Sequence, residues 1–278
     1  MPPKMTLEGY LRRLNEESDK RLGSYEKTLR RAYMSLLKDM NHTIANTYAK
    51  LDDDDLIGSL QKYHRKDNVE QTLTSLINEF SKAKYKGMYD QLREQLLFAY
   101  QYYYTGLTEV AGKAFKLTPL KKEWLTQTIE NELSGLTLKQ TLQRDRQNII
   151  YSLKSNLIQG VNRGESYSQM AKRMQTVINN DYQKAVRIAR TETHRVKEEG
   201  TFQSALKGEK AGITQVKKWN SSNDGRTRKE HRKLDGKTIP LHEYFRVGNA
   251  KALKPGATGR AEHDVNCRCF LTFQIADE

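Results

Sequence analysis

The residues best suited to chemistry lie in the last quarter of the chain, where Cys267 and Cys269 are separated by a single residue. His263 precedes them, and His231 and His242 lie further upstream. Thiolates and imidazoles are the ligands that Zn²⁺ takes in structural sites. Because alternate residues of a strand point to the same side, Cys-x-Cys presents both sulfurs on one face. The pattern predicts a structural zinc site made by His263, Cys267 and Cys269 with either His231 or His242.

The same cysteines have a second interpretation as small core residues. They alternate with polar positions in a strand-like segment and share a face with Leu271 and Phe273. Cys-x-Cys differs from the commoner Cys-x-x-Cys zinc motif, and a disulfide between neighbours on an extended strand would be strained. A catalytic thiol is not expected, because the sequence pairs no clear base with either cysteine. Metal ligation and core packing therefore both stay open.

A third group of residue types is found in metal-dependent His-Asn-His nucleases. It consists of His231, Asp235, His263 and Asn266. Their spacing is poor, and the Asp-His pair that opens such a motif is not recognisable. No phosphate-binding loop, dinucleotide fingerprint or His-Glu-x-x-His motif accompanies them in the sequence. The chain is expected not to be an enzyme, with a nuclease kept as an alternative.

The formal net charge of +14 and the isoelectric point near 9.6 favour a polyanionic partner. Lys and Arg neutralise phosphates and release counterions, so non-specific contact with double-stranded DNA is predicted. A basic surface that serves only solubility fits the composition equally well. The candidate DNA contacts lie in two basic segments and are Lys217, Lys218, Arg226, Arg228, Lys229, Arg232, Lys233, Lys139, Arg144 and Arg146.

Other partners and compartments are limited by the same sequence. No apolar run approaches the ~20 residues of a membrane span, so no membrane partner is expected. The first ten residues lack the apolar region of a secretory signal, which predicts synthesis in a reducing cytoplasm. No cofactor is expected apart from the zinc of the first interpretation.

Long helices are expected to carry these residues. Apolar residues recur at steps of three and four and predict helices over residues 7–48, 69–104, 118–135, 137–160, 166–178 and 182–200. The four acids Asp52–Asp55 lack the alternation of a calcium loop and are predicted to cap a helix. Lys207–Gly212 is predicted to be a linker. Asn179–Asp181 is predicted to break or cap the last helical stretch.

The remaining segment has mixed character. Short strands are predicted at Thr214–Asn220, Lys237–Leu241 and Cys267–Ile275, with a short helix at Thr227–Leu234. The fold class is therefore α+β, with a mostly helical, elongated N-terminal part and a small mixed α/β C-terminal module. The predicted domains are residues 1–210 and residues 211–278.

Glu192 lies on an apolar helix stripe, where an unpaired carboxylate would be costly. It therefore needs a cationic partner, and the candidates are Arg190, Arg195, Arg226 and Arg228. Acting as a general base is the functional alternative for this carboxylate.

An ordered set of short motifs carries a resemblance to a known family. It consists of Ala189-Arg-Thr-Glu192, Lys218-Trp219, Asp224-Gly-Arg-Thr-Arg228, His231, Leu234-Asp-Gly236 and Asn266-Cys-Arg-Cys269. Over about residues 166–275, this set resembles the phage head morphogenesis family, the Mu F-like minor head proteins of tailed bacteriophages. The matching motif residues are Arg190, Glu192, Trp219, Asp224, Arg226, Arg228, His231, Asp235, Gly236, Asn266, Cys267 and Cys269.

The resemblance implies a minor capsid protein that associates with the portal protein during procapsid assembly and handles packaged DNA. Capsid and scaffolding proteins are the further partners, and the implied location is the virion, inside the capsid near the portal vertex. Some relatives carry a toxin domain after this module, and none is expected here because the chain ends at Glu278. We expect Arg226 or Arg228 to pair with Glu192 and hold the module to the last helix. A DNA-binding protein unrelated to capsids is the other alternative.

Overall fold

The computed structural model describes residues 5–49, 65–133 and 135–276, so the predicted cap at Asp52–Asp55 lies outside the described residues. The elements in chain order are α1 (Leu7–Tyr48), α2 (Arg65–Ala111), α3 (Lys122–Ile129), α4 (Leu138–Asn162), α5 (Tyr167–Lys210), β1 (Gln215–Asn220), α6 (Lys229–Arg232), β2 (Thr238–Pro240), β3 (Phe245–Val247), β4 (Ala250–Ala252), α7 (Ala261–Asp264) and β5 (Phe270–Ile275). The predicted α+β class, with a long helical part before a small region of antiparallel strands, is confirmed.

Contacts within the chain form two compact units. The first comprises the described residues of Met1–Tyr25, Tyr89–Leu138 and Arg187–Glu278, and the second those of Glu26–Met88 and Lys139–Val186. The predicted boundary between residues 210 and 211 separates elements by type, whereas these units group them by contact. That boundary stays a prediction, although α5 ends at Lys210.

The second unit is built from helical stripes. Leu29, Tyr33, Leu36 and Met40 of α1 are all buried, at the steps of four, three and four that place residues on one helix face. The other helices supply matching buried positions: Leu73, Ile77, Leu142, Ile149, Leu153, Met170 and Met174. The unit is therefore held together mainly by apolar burial between amphipathic helices.

The first unit places a small sheet against helices. The sheet has the order β2-β1-β5 and is antiparallel throughout, with Trp219 opposite Leu271 and Lys217 opposite Phe273. Strands β3 and β4 form a separate hairpin. One core contains side chains from both kinds of element: Leu7, Leu11, Leu14, Tyr103, Leu107, Phe202, Trp219, Phe245, Cys267, Cys269, Leu271 and Phe273.

The predicted break at Asn179–Asp181 is wrong, because α5 runs through it without interruption. Asp181 does not cap a helix. Its carboxylate is buried and accepts hydrogen bonds from the Tyr33 hydroxyl and the Lys84 ammonium within the second unit. Asp181, predicted to help break or cap a helix, is therefore the acidic member of a buried ion pair.

Two other predicted boundaries shift. The third helix does not begin at Thr118 but at Lys122, and its N-terminal cap position is the extended Lys121. The predicted linker Lys207–Gly212 is largely helical, because α5 continues to Lys210 and ends where Gly212 takes a φ of +82°. Among the described residues, no helix has the length and apolar character needed to cross a membrane.

Candidate functional site

The predicted Cys/His group is partly assembled in the first unit. His231 lies on α6, and Cys267 and Cys269 lie in the turn between α7 and β5, with all three side chains buried. The His231 Nδ1 atom is 3.4 Å from the Cys269 sulfur and 3.6 Å from the Cys267 sulfur. The ligand atoms of these three residues all lie within 4.8 Å of one another. Both thiols are free.

The backbone before the cysteines has an unusual conformation. Asn266 takes a φ of +56°, the left-handed region that Asn adopts more readily than most residues. Its amide N–H donates to the Thr191 hydroxyl of α5 at 3.1 Å. Cys267, Arg268 and Cys269 lie outside the strand, because β5 begins only at Phe270. The predicted strand at Cys267–Ile275 is thus three residues too long at its start.

The two sulfurs have different environments. The contact with Cys267 lowers the pKa of the Cys269 thiol, and so do the indole N–H of Trp219 and the backbone N–H of Ser222. The hydrogen bond with Cys269 and burial raise the pKa of the Cys267 thiol, while His194 and His231 act in the opposite direction. Donors directed at a sulfur favour the thiolate, which is the form that ligates metals.

The other predicted histidine ligands are placed elsewhere. The His263 ring stacks obliquely beside His231 with 5.6 Å between ring centroids, next to the three-residue group but not within it. His242 is exposed and lies 2.6 Å from Glu209, so its proposed place beside the cysteines is wrong. His194 of α5, which the sequence reasoning missed, interacts with the Cys267 thiol. Its position on the helix gave no signal of this contact, because only tertiary packing brings it beside the cysteines.

Glu192 finds its partner within its own helix. The Arg195 guanidinium lies 2.8 Å from the Glu192 carboxylate, and both side chains are buried. The preferred pairing with Arg226 or Arg228 is wrong. Arg228 instead donates to the backbone carbonyls of His263 and Val265, and Arg226 is exposed. Arg228 therefore stabilises the turn that carries the cysteines, through hydrogen bonds to its backbone and not through an ion pair with Glu192.

The remaining motif residues organise the loop before α6. Asp224 pairs with Arg268 at 2.6 Å and accepts a hydrogen bond from the Arg226 backbone N–H. Asp235 accepts hydrogen bonds from the Ser221 backbone N–H and the Asn223 side chain, each at 2.7 Å. The Asp235 carboxylate is thus directed at that loop, whereas His231 faces the two sulfurs.

The ten predicted DNA contacts divide by exposure. Lys217 is fully buried, and its ammonium donates to the Leu253 carbonyl at 2.8 Å, so it offers no charge at the surface. Lys218 lies 3.4 Å from Glu8, and Arg146 donates to Asn78 at 2.7 Å. Six side chains are exposed: Arg226, Lys229, Arg232 and Lys233 in the first unit, and Lys139 and Arg144 in the second.

Comparisons with known proteins bear on these sites. A family model described as phage Mu protein F like protein matches residues 151–272. Over 283 aligned residues, the chain is 31% identical to Minor head protein GP7 of Bacillus phage SPP1, covering 95% of this chain and 87% of that protein. It is 30% identical over 178 residues to NAD(+)--arginine ADP-ribosyltransferase EFV of Enterococcus faecalis (strain ATCC 700802 / V583), covering 64% of this chain and 36% of that enzyme. No significant match to a solved structure is found.

Proposed function

Because the chain belongs to the phage Mu protein F-like family of minor head proteins, we propose that it associates with the portal vertex during head morphogenesis and contacts packaged DNA without sequence specificity. The observation that carries the proposal is the identity to Minor head protein GP7 along nearly the whole of both chains. The proposed location is the capsid interior beside the portal.

The portal protein is the proposed protein partner, because the ordered motif set implies it. Capsid and scaffolding proteins are the further partners. Co-expression with the portal protein encoded in the same genome, followed by size-exclusion chromatography, is the direct test. We expect the two proteins to co-elute in one complex. Separate elution across the accessible concentration range would contradict portal association.

The DNA contact is assigned to a basic patch, defined as Arg226, Lys229, Arg232 and Lys233. Three of them lie on or directly beside the short helix α6, and all four are exposed. Exposed cations in one short segment can track phosphates without reading bases, which matches non-specific binding. The exposed Lys139 and Arg144 of α4 form a second, smaller candidate surface.

The basic patch is tested by replacing its four residues with Gln and measuring duplex binding against salt concentration. Each phosphate contact contributes about 0.9 to the slope of log affinity against log salt, so the slope should fall by about three to four. The matched control removes the same charge from exposed positions of α1: Lys27, Arg30, Arg31 and Lys38. An equal loss in the control would contradict a localised contact.

A non-enzymatic role is part of the proposal. The named activity of the transferase belongs to that protein, of which this chain covers about a third. We expect neither divalent-ion-dependent DNA cleavage nor transfer of ADP-ribose from NAD(+) to arginine. Cleavage abolished by His231→Ala or His263→Ala, with the fold retained, would overturn this and favour the nuclease alternative.

A further inference from the structure

We propose that His194, His231, Cys267 and Cys269 bind one structural Zn²⁺ ion that joins helix α5 to the C-terminal turn. Three of the four residues already form a buried group of converging ligand atoms. The site is independent of portal or DNA binding, and it replaces the predicted ligand His263 with His194.

The spacing of the converging atoms fits tetrahedral coordination. With Zn–S near 2.3 Å and Zn–N near 2.0–2.1 Å, a tetrahedral ion separates neighbouring nitrogen and sulfur ligands by about 3.5 Å. The two measured distances from His231 Nδ1, 3.4 Å and 3.6 Å, lie on either side of that value. The two sulfurs are nearly equidistant from Nδ1, as two ligands of one shared ion would be.

The contacts of the His194 ring support its assignment as the fourth ligand. Its ring reaches the Cys267 thiol from α5, and its Nε2 atom is buried without a hydrogen-bond partner. A buried imidazole nitrogen without a partner is costly in a metal-free core. Gly256, with a φ of +73°, passes close to the ring, and a Cβ there would lie 3.3 Å from His194 Cδ2. His194 lies outside the three-residue group of converging ligand atoms, so metal binding would require its ring to move toward them.

His263 serves the site less well. Its ring lies beside His231, and its Nε2 atom is 3.7 Å from the Glu262 carboxylate. Like His194 Nε2, its Nδ1 atom is buried without a hydrogen-bond partner. We assign His194 as the ligand because its ring contacts the Cys267 thiol, whereas the His263 ring packs beside the His231 ring. This assignment makes His263 the natural control, since it is a buried histidine close to the cluster that does not ligate.

The charge and the coordination number indicate a structural ion. The two thiolates neutralise the double positive charge of the buried Zn²⁺ ion, and two neutral imidazoles complete its four-coordinate ligand set. Four protein ligands leave no open position for water or substrate, so the ion would stabilise without catalysing.

The test uses the full chain, purified from cells grown with added zinc, and measures metal by mass spectrometry. We expect about one zinc per chain in the wild type and in His263→Ala, and loss of most of it in His194→Ala and Cys269→Ser. Chelation should lower the melting temperature of the wild type. Cobalt added to the reduced, chelator-treated wild type should produce thiolate-to-cobalt charge-transfer absorption, a readout that needs no variant to fold.

Two results would overturn the proposal. Zinc retained in His194→Ala but lost in His263→Ala would reject His194 as the fourth ligand. A wild-type protein that contains no zinc, gives no cobalt absorption and melts identically with and without chelator would reject the metal site and leave the cysteines as core thiols.

Discussion

Arg195 and Glu192 form a buried ion pair one turn apart on α5. The Arg195 guanidinium also caps the C-terminus of α3. Its other N–H groups donate to the backbone carbonyls of Thr128 at 2.7 Å and Ile129 at 2.9 Å. These are carbonyls of the last turn of α3, which lack partners inside that helix. Arg195 therefore links three acceptors with one side chain, which Arg can do and Lys cannot.

Removing this guanidinium should destabilise the first unit strongly. Arg195→Met leaves the Glu192 carboxylate and two helix-end carbonyls buried without a donor, and we expect a loss of about 3–5 kcal/mol in unfolding free energy. Arg195→Lys should retain part of the stability, and Glu192→Gln should cost less than Arg195→Met. Urea denaturation followed by circular dichroism measures all three.

The control for Arg195 is Arg187→Met on the same helix, because Arg187 is exposed. We expect its effect to stay within about 0.5 kcal/mol. An Arg195→Met protein as stable as this control would show that the pair contributes no net stability.

The sequence predicts the features of this fold that depend on residues close together in the chain. The stripe Leu29, Tyr33, Leu36 and Met40 is a local periodicity, so its helix was predictable. The partner of Glu192 could not be chosen among four arginines, since helix neighbours and distant loops were equally compatible with the pattern. The Cys/His group was predicted in part because its two cysteines are separated by a single residue. His194 was missed because only tertiary packing places a helix residue beside them.

The ion pair of Lys84 and Asp181 gives the second prediction. The Lys84 Nζ atom is 3.0 Å from the Asp181 carboxylate, with both side chains nearly inaccessible to water. Asp181→Asn removes the hydrogen-bonded counter-charge of the buried ammonium and should cost about 3–5 kcal/mol, whereas Tyr33→Phe should cost about 1 kcal/mol. Urea denaturation of the single variants is the measurement.

The double variant Lys84→Met/Asp181→Leu tests the reason for that loss. Replacing both charges with apolar groups removes the desolvation cost, so its stability should recover most of what Asp181→Asn lost. A double variant less stable than Asp181→Asn would show that the attraction between the two charges exceeds the free-energy cost of removing them from water.

Gly200→Ala should destabilise the protein, although helix propensity alone predicts that a Gly-to-Ala change in a helix stabilises it. A Cβ at Gly200 would lie 2.5 Å from the backbone oxygen of Leu96 and 3.2 Å from the Ala99 side chain, so Gly200→Ala forces α5 away from α2 within the first unit. We expect a loss of about 1–3 kcal/mol. Gly23 of α1 has nothing within 4 Å of its would-be Cβ, and Gly23→Ala should stabilise by up to about 1 kcal/mol. Equal effects of the two substitutions in thermal denaturation would contradict the close packing.

Lys217 makes stability depend on pH in an unusual direction. Burial lowers the pKa of its ammonium from 10.5 to about 8, with Lys254 acting in the same direction and Glu243 against it. The aromatic rings of Phe202 and Phe245 lie beside the ammonium, with their centroids 5.0 Å and 5.5 Å from it. The folded state therefore releases this proton more readily than the unfolded state does.

The sign of the effect follows from proton counting. Below about pH 8 both states hold the Lys217 proton, and the folded state carries the full cost of a buried charge. Between about pH 8 and 10.5 the unfolded state binds more protons, so the unfolding free energy contributed by Lys217 rises with pH. The pKa difference of 10.5 − 8 at ~1.4 kcal/mol per pKa unit limits this rise to about 3.5 kcal/mol. The measurement is urea denaturation of wild type and Lys217→Met at several pH values in this window. Wild type should gain stability relative to Lys217→Met as pH rises, while the exposed Lys229→Met should track wild type; parallel curves for wild type and Lys217→Met would show that the Lys217 pKa is not lowered.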